Sequence, residues 1–188
     1  MKPLKLLQLV LLGLTFTLII ACNSNAEVNN NSNQNSENMF FSAIELGASS
    51  SETNLLINAR FSECGEWGGH EEKMVIYANP DKDFYLDYIR YKVNCDSIGH
   101  YYGTPDFQKL DYETTLKLGD DQKKSVSEYI RKMSISKTEE RHPGHAGNRF
   151  SVVKSDSTLV LDVYDSKEYD ENSYYQLLTE LNLNSDKN

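Results

Sequence analysis

The side chains in this chain that could do chemistry beyond packing are few, and most sit in glycine-rich stretches. Three of the four histidines do so: His70 in Gly68-Gly69-His70-Glu71-Glu72, and His142 and His145 in His142-Pro143-Gly144-His145. Imidazoles suit zinc, copper or nickel, and a carboxylate can complete such a site. His70, Glu71, His142 and His145 are therefore the candidate metal ligands, and a transition metal is the cofactor they would hold. Two facts weigh against that reading. The His-Glu-Glu run leads into a strand pattern rather than lying on a helix, and no zincin spacing of two histidines around a glutamate occurs. Loop histidines in an acidic protein serve more often as solvated or capping groups, so the default expectation is no cofactor.

Aromatic side chains supply a second set of candidates. Trp67, the one tryptophan, sits between Glu66 and glycines, and His100-Tyr101-Tyr102 precedes Gly103-Thr104-Pro105. Such residues in loops make ligand platforms or partner contacts, or simply lids over the structure beneath. Nucleophilic catalysis has less support. No Gly-x-Ser-x-Gly elbow and no phosphate-cradling glycine loop before a helix is found, and the paired acids Asp120-Asp121 and Glu139-Glu140 are explained by capping and solvation. No catalytic residue is assigned.

The elements that must position these residues are legible from hydrophobic periodicity. Leu55, Ile57, Ala59 and Phe61 alternate with other residues in one strand, and Met74, Ile76 and Ala78 do so in the next. The turn Asn79-Pro80-Asp81-Lys82 leads to Phe84–Val93, apolar or aromatic on both faces and so expected as a central strand. Leu110, Tyr112, Thr114, Leu116 and Leu118 alternate with Asp111, Glu113, Thr115 and Lys117, which predicts one wet face. Asp120 or Asp121 is then expected to cap a helix whose apolar stripe is Val126, Tyr129, Ile130 and Met133. Phe150–Val153 and Leu159–Val163 flank Ser155-Asp156-Ser157 as a hairpin. A last helix from about Ser173 packs Tyr174, Leu177, Leu178 and Leu181. The expected fold is α+β, an antiparallel sheet of about six strands with two helices packed on one face, in a single globular domain spanning 39–185.

Upstream, residues 1–21 have the layout of a signal peptide: Lys2 and Lys5 without an acid, then the apolar run Leu6–Ile20. That run is short of the roughly 20 residues a bilayer span needs. Its end, Ile19-Ile20-Ala21-Cys22, resembles the lipobox of bacterial lipoproteins, and the resemblance is confined to this leader. It implies cleavage after Ala21, diacylglycerol on the Cys22 thiol and acylation of the new amine, often as palmitate. Chains of that number anchor firmly where one would bind only marginally. Asn23, where Asp would imply inner-membrane retention, implies the outer membrane, facing the periplasm. Residues 22–38 are then a lipidated Cys and a flexible tether of Asn and Ser, with Val28 its one large apolar side chain, and a reach on the order of 20–25 Å.

An oxidising compartment gives the remaining cysteines, Cys64 and Cys95, a simple reading as a disulfide. Each follows a strand, and in an up-down-up meander those strands lie about 9–10 Å apart, whereas bridged Cα atoms must come within about 7 Å. The segment carrying Cys64 must therefore fold across, helped by Gly65, Gly68 and Gly69. A reactive Cys64 thiol beside His70 is the rival reading.

Charge narrows the partners. The chain has 19 Lys and Arg against 28 Asp and Glu, a formal net charge of -9, and loss of the leader would remove two further lysines. Nucleic acid and anionic headgroups are poor partners for such a surface. Three readings remain: a non-enzymatic periplasmic binding or accessory module with an envelope protein as partner, a metal-binding or metal-dependent hydrolytic lipoprotein, and an acidic inhibitor or immunity lipoprotein that occupies a basic toxin or enzyme. The lack of a catalytic motif favours the first.

Overall fold

Six stretches of period-two alternation pair through their backbones into one sheet. The computed structural model describes residues 39–49, 52–65, 68–97, 108–140, 147–165 and 169–183, all within the compact unit Asn38–Asn188. The leader, Cys22 and the tether lie outside the described residues, as do Trp67, His100, Tyr101, Tyr102, His142 and His145. The strands are β1 (Leu55–Arg60), β2 (Glu71–Ala78), β3 (Phe84–Val93), β4 (Gln108–Lys117), β5 (Asn148–Lys154) and β6 (Val160–Asp165), and the helices are α1 (Asp120–Glu139) and α2 (Tyr169–Glu180). Sheet order is β4-β3-β2-β1-β5-β6, antiparallel at every pairing. The fold is thus α+β with a six-stranded antiparallel sheet and two main helices.

Strand parity decides which side chains form the core. Leu55, Ile57 and Ala59 of β1, Met74, Ile76 and Ala78 of β2, Leu86 and Tyr88 of β3 and Phe150 and Val152 of β5 all point to one face and are buried. Val126, Tyr129, Ile130 and Met133 of α1, with Tyr174, Leu177 and Leu178 of α2, close over them. A short irregular turn, Ile44–Ala48, fills the far end of the sheet with Leu46, helped by Phe41 stacked edge-on against Phe84. Gly47 allows this approach: its φ is +116°, and a Cβ there would lie 2.9 Å from the Ala78 carbonyl oxygen.

Four expectations need correcting. α1 is capped by Gly119, whose N–H donates to the returning Gln122 side chain at 2.9 Å, so Asp120 and Asp121 belong to the first turn, where they favour the helix dipole. α2 begins at Tyr169, before Ser173. β3 lies between β2 and β4 as an internal strand, but its second face, with Tyr85, Asp87, Ile89 and Tyr91, is half-exposed rather than covered. The apolar row of β4 is only partly buried: Leu118, just beyond it, is, while Leu110 and Tyr112 are 53% and 37% exposed. Both helices pack toward β5 and β6, which leaves the β4 edge beyond their reach. A bulge opposite Arg90 and Tyr91 also breaks the alternation between Leu110 and Tyr112.

The Cys64–Cys95 disulfide is formed, with Cα atoms 5.3 Å apart. The backbone folds across as the geometry requires: Gly65 donates to the Ser62 carbonyl, Gly68 to that of Gly65, and Cys64 to that of Gly68. Gly65 and Gly68 adopt left-handed φ values of +68° and +87° in this turn. The bridge therefore ties the end of β1 to the end of β3 over the start of β2. Replacing both cysteines by alanine should lower the unfolding free energy by roughly 3–4 kcal/mol, the loop-closure value for 31 residues, measured as a lower denaturant midpoint than the oxidised protein's.

Candidate functional site

β2 opens with two carboxylates at successive positions, and the pleat sends them to opposite faces. Glu72 has the parity of Met74 and lies in the core, 4% exposed; Glu71 is exposed on the other face. These two positions define two neighbouring features, one sealed and one open.

On the sealed side Glu72 is met by donors from three separate parts of the chain. Its Oε2 accepts the Tyr88 hydroxyl of β3 at 2.6 Å and the Tyr174 hydroxyl of α2 at 2.8 Å, and its Oε1 accepts His70 Nε2 at 3.2 Å. His70 Nδ1 donates to Glu63, whose second oxygen takes the His70 backbone N–H at 3.0 Å. Gly69 makes this fold-back fit, since a Cβ there would overlap the Glu63 carboxylate and approach the Phe61 carbonyl. The imidazole lies flat on Phe61, ring centroids 4.2 Å apart at 7°, and Phe61 in turn stacks on Tyr175.

The protonation states follow. Burial alone would raise the Glu72 pKa, but the hydrogen bonds from His70, Tyr88 and Tyr174 outweigh it and hold the carboxyl below its ordinary 4.5. Burial would likewise depress His70, yet the Glu72 hydrogen bond and the Glu63 charge win, leaving the imidazole above its ordinary 6.5. Burial and then the Glu72 charge raise both Tyr88 and Tyr174, so the phenols stay protonated donors. The resulting unit joins Glu63 and Glu72 through the His70 imidazole, and both contacts favour its protonated form.

That arrangement bears on the metal set. With both ring nitrogens engaged by Glu63 and Glu72, His70 has neither of them turned toward a separate cation site. The carboxylate reaching it is Glu72, while Glu71 points to the opposite face, so the structure separates His70 from Glu71; His142 and His145 lie outside the described residues. Among the described residues no group of three or more His, Cys, Asp or Glu is placed to hold a metal ion. Ser134 and Lys137 on α1 have the Ser-x-x-Lys spacing of some acyl-transfer enzymes. Ser134 donates to the Ile130 carbonyl and Lys137 Nζ to Glu140, so neither addresses the other.

On the open side, Asn58, Arg60, Glu71, Lys73, Tyr91, Gln108, Arg149 and Ser151 surround a concavity of 490 Å³, whose floor is the backbone of β1 and β2. Register explains the grouping: Arg60 stands opposite Glu71 on one side and Arg149 on the other, and Asn58 stands between Lys73 and Ser151. Arg149 is fixed by a two-point bridge to Asp162, at 2.8 and 2.6 Å, which lowers the Asp162 pKa and raises that of Arg149. Gln108 donates to the Gly69 carbonyl at 3.1 Å, tying the start of β4 to the His70 segment. The strand ends leading toward Trp67, toward Tyr101 and from His142 all lie at this end of the sheet. Motif searching missed this surface because its residues come from five strands and share no linear pattern.

No protein-family model matches the chain, and no curated protein matches it.

Linkage fixes how the sealed chain responds to pH. A depressed Glu72 pKa adds stability that is complete above 4.5 and fades as pH falls through the folded value; a raised His70 pKa adds stability that is complete below 6.5 and fades as pH rises through the folded value. Both contributions are therefore whole only between those two values. In melting-temperature scans from about pH 6 to 9, His70→Gln should flatten the alkaline decline of the wild type. Glu72→Ala strands two buried hydroxyls and the part-buried His70 and should cost about 3–5 kcal/mol in denaturant unfolding.

Proposed function

We propose that this chain is a lipid-anchored bacterial envelope protein that acts without chemistry of its own, as a binding or accessory module docking a protein partner on the open face of its sheet. The carrying observation is the concavity on that face, set among Arg60, Glu71, Lys73, Arg149 and Ser151 at one end of its central strands. Its volume falls within the roughly 300–1,000 Å³ usual for ligand sites. Among the described residues the opposite face of the sheet is closed by helices and apolar packing, whereas this side carries polar and half-exposed side chains.

The lipobox-like Ile19-Ile20-Ala21-Cys22 supports the anchor, and the Asn/Ser tether supports a domain held clear of the headgroups, on the outer membrane and facing the periplasm. A disulfide-bridged domain on an Asn/Ser-rich tether suits a partner fixed elsewhere in the envelope, because tethering raises its effective concentration.

Two variants test this reading. Cys22→Ser should leave the leader uncleaved, so that the protein keeps its precursor mass and takes up no labelled palmitate; an unchanged processed mass with unchanged lipid labelling would reject the anchor. Ser151→Trp, which fills the concavity, should abolish recovery of a specific envelope protein by cross-linking in cells, while Glu139→Gln at the end of α1 leaves it intact. Equal recovery with both variants would reject the open face as the docking surface.

A further inference from the structure

We infer that the occupant of the open face is an acidic stretch of polypeptide, its carboxylates received by Arg60, Lys73 and Arg149; this deepens the docking proposal and rests on it. The first ground is charge placed against the trend of the molecule. Acids outnumber bases by 28 to 19 in the chain, yet Arg60, Lys73 and Arg149 line this concavity beside Glu71 and the buried Glu72, with Arg149 bridged to Asp162.

A second ground is the register. Arg60 and Arg149 stand directly opposite each other on adjacent strands, with Glu71 across from Arg60 and Asp162 on Arg149 offsetting part of their like charge, and an arriving carboxylate would add to that compensation. Their heads are also positioned in advance. Arg149 uses Nε and Nη2 on Asp162, which fixes the plane of the guanidinium, and its Nη1 lies outside that pair. Arg60 lies against the Gly68 backbone, where a Cβ would come within 2.3 Å of Nη2. Arginines so held lose little side-chain entropy when a carboxylate arrives.

The remaining lining separates a peptide from other anions. Asn58, Gln108 and Ser151 bring amide and hydroxyl groups, and Glu71 is an acceptor. A polypeptide offers N–H donors to Glu71; a phosphate or a nucleic-acid backbone offers none and would meet its charge. The net charge of -9 also repels long polyanions at a distance, whereas a short acidic segment reaches the local cations.

Fluorescence anisotropy with the full chain in detergent tests the assignment, using a fluorescein-labelled peptide that alternates Glu and Ser and its counterpart that alternates Gln and Ser. The Glu peptide should bind saturably and about tenfold more tightly, and Lys73→Gln and Arg149→Gln should each remove much of that preference, as should added salt. Lys73 is exposed, so its variant keeps the wild-type melting temperature and reports on binding alone. Equal binding of the two peptides, or an unchanged preference in Lys73→Gln, overturns the assignment. So does binding of inorganic phosphate or phosphatidylglycerol vesicles with none of the Glu peptide. If Ser151→Trp still abolishes partner cross-linking while the Glu peptide fails to bind, the acidic occupant is wrong and the docking face stands; if neither is seen, both fall.

Discussion

Glu72 is a charge that water does not reach, and the covered half of the molecule is organised around satisfying it. An ionised carboxylate in an apolar setting is costly unless its oxygens are filled by donors. Here they come from the connection before β2 through His70, from β3 through Tyr88 and from α2 through Tyr174. These three groups are far apart in sequence, so the carboxylate is content only when the sheet, the connection and the last helix are assembled together. Partial assembly would leave a buried charge half-solvated, and that penalty couples the docking of α2 to the folding of the sheet.

The same residue gives the open face its rigidity. Glu71 and Lys73 flank Glu72 on β2, so whatever fixes Glu72 fixes the backbone from which they project. The disulfide acts at the same end of the sheet, and Gln108 joins β4 to the His70 segment there. Three independent restraints therefore converge beside a surface whose side chains are polar and solvated. Restrained backbone, with Arg149 held on Asp162, leaves less conformational freedom on this face than an unsupported surface would have.

Much of this was legible in the sequence. Period-two alternation located the strands, the 3.6-residue stripes located both helices, and Ser155-Asp156-Ser157 marked the β5–β6 turn, because each signal is a local consequence of which face is dry. The turn formed by Ile44–Ala48 was not, since Leu46 is its lone fully buried side chain and the segment has no period. β4 misled for a related reason: alternation shows which side chains share a face, and nothing in it tells how far a distant helix extends over that face. Glu72 was readable and overlooked. Counting back from Met74 in steps of two places both Glu72 and His70 on the core side, and an acid at a core parity signals a buried network. The open concavity could not be read at all, because Arg60, Lys73 and Arg149 become neighbours only through the pairing of β1 with β2 and β5.

The bulge where β3 meets β4 has a consequence for how molecules behave when crowded. β4 is a border strand, with backbone groups that another border strand could in principle complete. The local kink distorts that line, and Lys109, Asp111, Glu113 and Lys117 stud it with charges of both signs. Uncovered Leu110 and Tyr112 would otherwise be an invitation to stick. Broken geometry and charges of both signs make such an edge a poor template for a second strand.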